Sequence, residues 1–396
     1  MIELFIQKKD CCNCAACKNI CPNKAITTEP DEDGYVFPKI NRELCTECGL
    51  CNEVCDFQKT SINGNVPLFT YAAINKDRDI LMNSASGGVF GALASFIFDK
   101  NGVVFGCAYD DKMNPKHICI DSLSDLKKIQ GSKYVQSDIN NTYTQVKTYL
   151  KNGKWVLFTG TPCQIAALKS YLKKDYSRLL TADLICHGVP NADFFKGYIR
   201  HLEDKLKGKV IDFRFRDKTK EWGHRIMVTY EINGKSLHKA MFPVDSYYYN
   251  YFLRGDISRE SCYECKYACG IRVGDFTIGD YWGVEKFHPE IERRGGVSVL
   301  LVNSQKGAML TDELTKYLDL TESAFEQARM QNEQLNKPIA KSTKREMILK
   351  TWREGGYKAV AEEYYKAYKR QIILSRCKRL IPKPVKKSLK KILRVN

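Results

Sequence analysis

The stretch that decides the reading is CCNCAACKNICP, residues 11–22, which places five cysteines within eleven positions and closes on a proline. Cys11, Cys14, Cys17 and Cys21 follow the spacing x2, x2, x3, and Cys12 falls outside it. A second copy, CTECGLCNEVCD at 45–56, repeats the spacing through Cys45, Cys48, Cys51 and Cys55, with Asp56 where the first copy has Pro22.

Composition narrows what those thiols can be. The chain has 396 residues, 43% hydrophobic and 28% charged, which is ordinary for a globular protein and long enough for more than one domain. No apolar run approaches membrane-spanning length, and MIELFIQKKD lacks the order of a signal peptide, so the expected compartment is the cytoplasm. Seventeen cysteines in a reducing compartment read as metal or redox ligands rather than disulfides.

Four cysteines at this spacing wrap three thiolates around one corner of an iron–sulfur cube and send the fourth to a neighbouring cube. Cys11, Cys14, Cys17 and Cys55 are expected to hold one 4Fe-4S cluster and Cys45, Cys48, Cys51 and Cys21 a second, which leaves Cys12 surplus. The competing reading is a pair of zinc sites, but zinc ribbons use two separated Cys-x2-Cys pairs rather than a repeated run of four. So small a head has little core of its own, and its clusters are expected to stabilise residues 1 to about 58. Removing the iron is then expected to unfold the head.

Beyond the polar linker 59–67 the pattern becomes strands alternating with helices. FTYAAIN (69–75), GVVFGCAY (102–109), KWVLFTG (154–160) and RLLTADLICHG (178–188) read as strands, and VTYEINGKSLHKA (228–240) as a hairpin turning on Asn233-Gly234. The alternation predicts an α/β body with some antiparallel sheet.

Three loops in that body have ligand chemistry. NSASGGVF (83–90) and QGSKYVQS (130–137) bring small residues, hydroxyls and a lysine to positions that suit either an anion or an ordinary helix cap. In FTGTPCQIAALK (158–169), Gly160 or Thr161 caps a helix, Pro162 takes its first turn, and Cys163 sits at the positive end of its dipole, where a thiolate is favoured. Cys186 ends a strand in LICHGVP beside His187, and SCYECKYACG supplies Cys262, Cys265 and Cys269. Cys163, Cys186, Cys262 and Cys265 make a set for a third cluster. A zinc site, or a Cys163/His187 catalytic dyad with His187 moving a proton, would use some of the same residues.

Together, the head, SASGG (84–88), GSKY (131–134), FTGTPCQIAALK, DLICHGVP (183–190), RFRDK (214–218) and SCYECKYACGIRVGDFTIGDYWG (261–283) resemble the coenzyme F(420) hydrogenase/dehydrogenase beta-subunit family over residues 1–305. The resemblance implies an iron–sulfur flavoprotein oxidoreductase that binds FAD and moves electrons between 4Fe-4S clusters and a small-molecule substrate or deazaflavin. It also implies a redox partner such as a ferredoxin or another oxidoreductase subunit. Carried over by motif, Ser84, Ser86, Gly87, Gly88, Gly131, Ser132, Lys133 and Tyr134, with Gly160 and Thr161, would line the flavin site. Cys269 departs from the family pattern and competes with Cys186 as fourth ligand. Arg214, Arg216, Asp217 and His224 fall near the expected substrate mouth. Two other readings stand beside the enzyme: an electron-transfer subunit with no substrate of its own, and a zinc-stabilised interaction protein.

The resulting expectation is an α/β protein with α+β elements, in three parts. A two-cluster ferredoxin-like head spans 1–60, an α/β FAD and iron–sulfur body 67–335, and a basic helical tail 336–396. Of the net charge of +17, twelve Lys and Arg lie between Lys366 and Arg394 with no acidic residue after Glu363, which leaves about +5 elsewhere. No basic stripe continues onto the body, so no nucleic-acid partner is expected. VKKSLKKILRVN (385–396) sets Val385, Leu389, Ile392 and Leu393 against lysines, which suits either a peripheral contact with the inner membrane face or a solvated tail. Lipid contact would put the protein beside membrane-bound steps such as surface-polysaccharide assembly.

Overall fold

A computed structural model describes residues 2–380, so the amphipathic segment expected at 385–396 lies outside the described residues. The head is a hairpin flanked by the two cysteine runs. Strands β1 (Ile26–Pro30) and β2 (Val36–Ile40) pair antiparallel from Ile26 opposite Ile40 to Pro30 opposite Val36. Each run bends into a short helix, Ala16–Ile20 and Leu50–Glu53.

The body is a mixed sheet. Its strands are β3 (Phe69–Asn75), β4 (Val103–Tyr109), β5 (Pro115–Ile120), β6 (Val156–Gly160), β7 (Leu179–Leu184), β11 (Phe276–Asp280), β12 (Ser298–Val302) and β13 (Leu318–Ser323). They lie in the order β13-β3-β12-β11-β7-β6-β4-β5. The centre, β11-β7-β6-β4, is parallel, and the flanks are antiparallel. Central β6 shows why these residues make an interior strand. All five of its residues are buried, with Val156 and Phe158 packed on one face and Leu157 on the other, as a parallel strand covered on both sides requires. The helix Val89–Asp99 seals one face through Leu93, Phe96 and Ile97, and Pro162–Leu172 covers the other through Ile165 and Leu168. The expected hairpin forms as β9 (Ile226–Ile232) and β10 (Lys235–Met241), and β8 (Lys209–Arg214) completes a separate three-stranded sheet.

Two features differ from the sequence reading. The head shares a core with the body, since Cys12, Cys14, Ala15, Ala16 and Val54 pack in one cluster with Tyr143, Phe158, Ile165, Tyr267 and Val273. Nor is the described part of the tail an appendage. The helical segment Arg345–Leu380, broken at Gly356 (φ 60°), buries Val360, Tyr364, Tyr368 and Ile372 against an aromatic core that includes Tyr198, Tyr247 and Phe252. Two of its cations, Arg376 and Arg379, reach the Asp245 carboxylate at 3.4 and 2.7 Å. No helix among the described residues is long and apolar enough to cross a membrane.

Candidate functional site

In the head the two runs fold alike. Left-handed backbone recurs at matched places, Asn13 (φ 51°) and Ala15 (φ 62°) in the first run, Glu47 (φ 53°) and Gly49 (φ 77°) in the second. Such backbone is costly for non-glycine residues and turns successive N–H groups inward into an anion-binding nest, a form common at Fe–S sites. Cys11, Cys14, Cys17 and Cys55 come together as neighbours, and burial raises the Cys11 thiol to about 11 and the Cys17 thiol well above its ordinary value. Cys21, Cys45, Cys48 and Cys51 surround a small cavity of about 20 Å³ nearer the surface, with Cys48 exposed.

The third set assembles at the carboxyl ends of β6 and β7, where open α/β sheets present their functional loops. Thr161 caps the helix Pro162–Leu172, and the Gln164 side chain accepts from the Thr161 N–H at 3.0 Å to close a capping box. Cys163 follows in the first turn, 3.1 Å from Thr161 Oγ1. A hydrogen bond from Cys12, the Thr161 hydroxyl and the helix-start N–H groups pull its thiol down to about 7. Cys186 lies two residues past β7, and Cys262 and Cys265 sit on and after the turn Glu260–Cys262. Burial, reinforced by the neighbouring thiols, lifts Cys186 well above its ordinary value and Cys265 to about 12. Cys269 stands apart, its Sγ directed to the Ile271 carbonyl at 3.7 Å.

What brings these loops together is a buried ion pair that the sequence reading missed. Arg272 Nη2 donates to Asp183 Oδ1 at 2.6 Å, with side-chain exposures of 1% and 0%. The carboxylate also accepts from Val273 N, Gly274 N and Thr277 Oγ1. The guanidinium reaches the Tyr267 and Leu184 carbonyls at 3.0 Å each. The Cys262–Cys269 segment is thereby tied to the end of β7, three residues before Cys186.

Among the described residues, the one trio of ligand atoms lying within 4.8 Å of one another is Asp31, Glu32 and Asp33.

Beside the third set opens a cavity of about 490 Å³, within the range of cofactor pockets. Ser84, Ser86, Gly88, Gly131, Ser132, Lys133, Tyr134, Gly160, Thr161, Cys163, Cys186 and His187 all line it. Gly87 does not, because it faces the sheet, where an added Cβ would meet the Ala73 carbonyl at 2.1 Å. The hydroxyls of Ser84 and Ser86 donate inward, to the Ile80 and Val297 carbonyls at 2.8 Å each. Lys133 spends its donors on the Gln130 and Lys128 carbonyls. His187 contacts the Leu253 carbonyl at 3.2 Å and stands edge-on to Phe252.

The cavity holds polar groups outside the expected set. On its floor His117 donates through Nε2 to the Thr159 carbonyl at 2.9 Å and accepts at Nδ1 from Ser137 Oγ at 2.9 Å, which in turn accepts from Gln164 Nε2 at 3.1 Å. Burial pushes His117 down to about 4, so it is neutral. At the mouth Arg216 pairs with Asp280 at 2.5 and 3.0 Å and lies over the Trp282 ring. Trp222 donates to the same carboxylate at 3.1 Å, and His224, held down to about 4 by burial and by Arg216, stacks on Trp282. Arg216, Asp217 and Arg214 also border a second hollow of about 610 Å³ that meets the first along Gly131, Ser132 and Lys133.

A mixed α/β sheet presenting a gathered thiol set to a cofactor-sized cavity, with the first cysteine run of the head packed in the same core, is an arrangement suited to redox chemistry. Residues 153–328 match the family model that describes the C-terminal region of the Coenzyme F420 hydrogenase/dehydrogenase beta subunit. The likeness to this family lies in that segment, which is less than half of the chain. An uncharacterised polyferredoxin-like protein of Methanocaldococcus jannaschii is 43% identical over 53 residues, 11% of this chain, which spans about a third (32%) of that protein's length. A chain of the F420-reducing [NiFe] hydrogenase complex from Methanosarcina barkeri aligns with 77% of this chain and 92% of its own at 15% identity and a TM-score of 0.45.

Proposed function

We propose that the chain is an iron–sulfur flavoprotein that binds three 4Fe-4S clusters and FAD and exchanges electrons with a small substrate or deazaflavin. The observation that carries the reading is the adjacency of Cys163 and Cys186 to the cavity of about 490 Å³ whose walls they share. Cys11, Cys14, Cys17 and Cys55 would hold the first cluster, Cys21, Cys45, Cys48 and Cys51 the second, and Cys163, Cys186, Cys262 and Cys265 the third. A flavin takes a hydride as two electrons and releases them singly, and each cluster carries one.

The residues of the chain supply the setting. Gly131 (φ 76°) and Gly88 (φ 84°) bring backbone close to the cavity in conformations that side chains resist. The stacked Tyr134 and Phe252 keep one side apolar, Trp282 stacks on Trp222 and His224, and Arg216 fixes Asp280 so that the mouth carries a compensated charge pair rather than a free anion. His187, one of three histidines at the cavity with His117 and His224, would be the candidate for moving a proton, and burial lowers its affinity for that proton. The head would be the electron port, with Cys48 at its exposed end.

The relay reading, a subunit without its own substrate, draws support from the family's hydrogenase and dehydrogenase subunits. Anaerobic turnover by the isolated chain with a viologen dye and candidate metabolites separates the two. Metabolite-dependent dye oxidation with bound FAD supports the enzyme, dye reduction alone supports the relay, and a chain that retains no flavin overturns the proposal.

A further inference from the structure

Arg259 is fully buried (0% exposed), yet among the described residues no carboxylate lies within ion-pair distance of it. Its neighbour Glu260 is engaged elsewhere, by Lys341 and by Arg345 at 3.3 Å. The Arg259 guanidinium lies over the Phe37 ring at 4.1 Å, donates through Nε to the Cys11 carbonyl at 2.8 Å and through Nη1 to Gln136 Oε1 at 3.2 Å, and leaves Nη2 buried with no partner. Two neutral acceptors and an aromatic face do not compensate a buried cation. An uncompensated charge in the interior costs several kcal/mol, so the fold calls for an anion at this place.

The backbone of Arg259 locates that anion. Its N–H donates to the Val189 carbonyl at 2.8 Å, in the loop that carries Cys186, and its own carbonyl accepts from Cys262 N at 2.9 Å. The side chain meanwhile grips the head at Cys11. One residue therefore joins all three ligand-bearing loops at the seam, and its charge bears on the Cys11 thiol from one side and the Cys262 thiol from the other. We propose that Arg259 is the shared counter-ion of the first head cluster and the body cluster, and that it raises the affinity of both for an electron. A four-thiolate 4Fe-4S centre carries a net charge of about −2 oxidised and about −3 reduced, so a fixed cation favours the reduced form. Arg259 makes none of these contacts with the cysteines of the second head set, whose Cys48 is exposed, so that set is expected to be unaffected.

The inference rests on reading the cysteine sets as clusters, and the test keeps the two apart. Iron and sulfide are first assayed in the wild-type chain, then midpoint potentials are followed by electron paramagnetic resonance in wild type, R259M and R259K. R259M fills the channel over Phe37 without charge, and R259K keeps the charge without the fork. In R259M two of the three centres lose at least about tenfold in electron affinity, which is ~59 mV for a one-electron couple, while the third is unmoved. In R259K all three hold within about threefold of wild type. Equal potentials in R259M and wild type, a shift of all three centres, or a tenfold loss in R259K overturns the inference. If R259M does not load its clusters, R259K decides alone. A wild-type chain without iron defeats the cluster reading itself, before any variant is compared.

Discussion

Substituting Arg272 by Met removes the cation that ties the Cys262–Cys269 segment to the end of β7. The remaining Asp183 carboxylate keeps three neutral donors, Val273 N at 3.0 Å, Gly274 N at 2.8 Å and Thr277 Oγ1 at 2.7 Å, but loses its charge partner at 0% exposure. Breaking one side of a buried pair costs about 3–5 kcal/mol, and the Tyr267 and Leu184 carbonyls lose their donor at about 1 kcal/mol or more each. Methionine fills most of the vacated volume and recovers part of this, so the net loss is set at about 4 kcal/mol, close to three decades in the folding equilibrium. The assay is anaerobic urea unfolding of the chain as purified, followed by circular dichroism and tryptophan fluorescence to check that the transitions coincide. Because the tie positions Cys186 against Cys262 and Cys265, R272M is also expected to purify with about eight irons instead of about twelve. The double variant D183N/R272M should be less destabilised than the two single losses together, since neither charge is left alone. A loss under about 1 kcal/mol in R272M with iron content unchanged would refute the argument that this pair organises the site.

Three further outcomes are expected. Cys163→Ser lowers iron by about four per chain and leaves the head's eight in place, read by iron and sulfide assay. His117, neutral in the fold at about 4 against an ordinary 6.5, binds its proton later than in the unfolded chain. Its contribution is full above pH 6.5 and is lost as pH falls towards 4, so wild type loses about 3 kcal/mol relative to His117→Gln across that window, measured by denaturation at each pH. Tyr364→Ala, at a fully buried residue bonded to the Val244 carbonyl at 2.9 Å, costs about 3–5 kcal/mol in the same unfolding assay.

The head's thiol sets were legible because their information is local, since four cysteines a few residues apart can wrap only so many ways. The central strands were legible as apolar runs, although β7 stops at Leu184, short of Cys186, where the chain leaves the sheet to form the loop. The Asp183–Arg272 pair and Arg259 were not legible, because each joins segments about 90 or more residues apart through a single side chain and leaves no periodic trace. His117 is hidden for the same reason, as a lone histidine inside β5. Gly87 carried a motif expectation, but the position is fixed by packing against Ala73. In the tail, charge drew the reading away from a visible signal, since Val360, Tyr364, Tyr368 and Ile372 recur every fourth residue and form the buried face of a helix.

The central claim is three clusters and a flavin in one chain, and it is tested most directly by anaerobic purification with iron, sulfide and flavin assays on one sample. About twelve irons and one FAD per chain are expected, with the brown absorbance of 4Fe-4S centres. About eight irons and no flavin would contradict it, leaving a ferredoxin-like head on a body whose thiols and cavity serve something else.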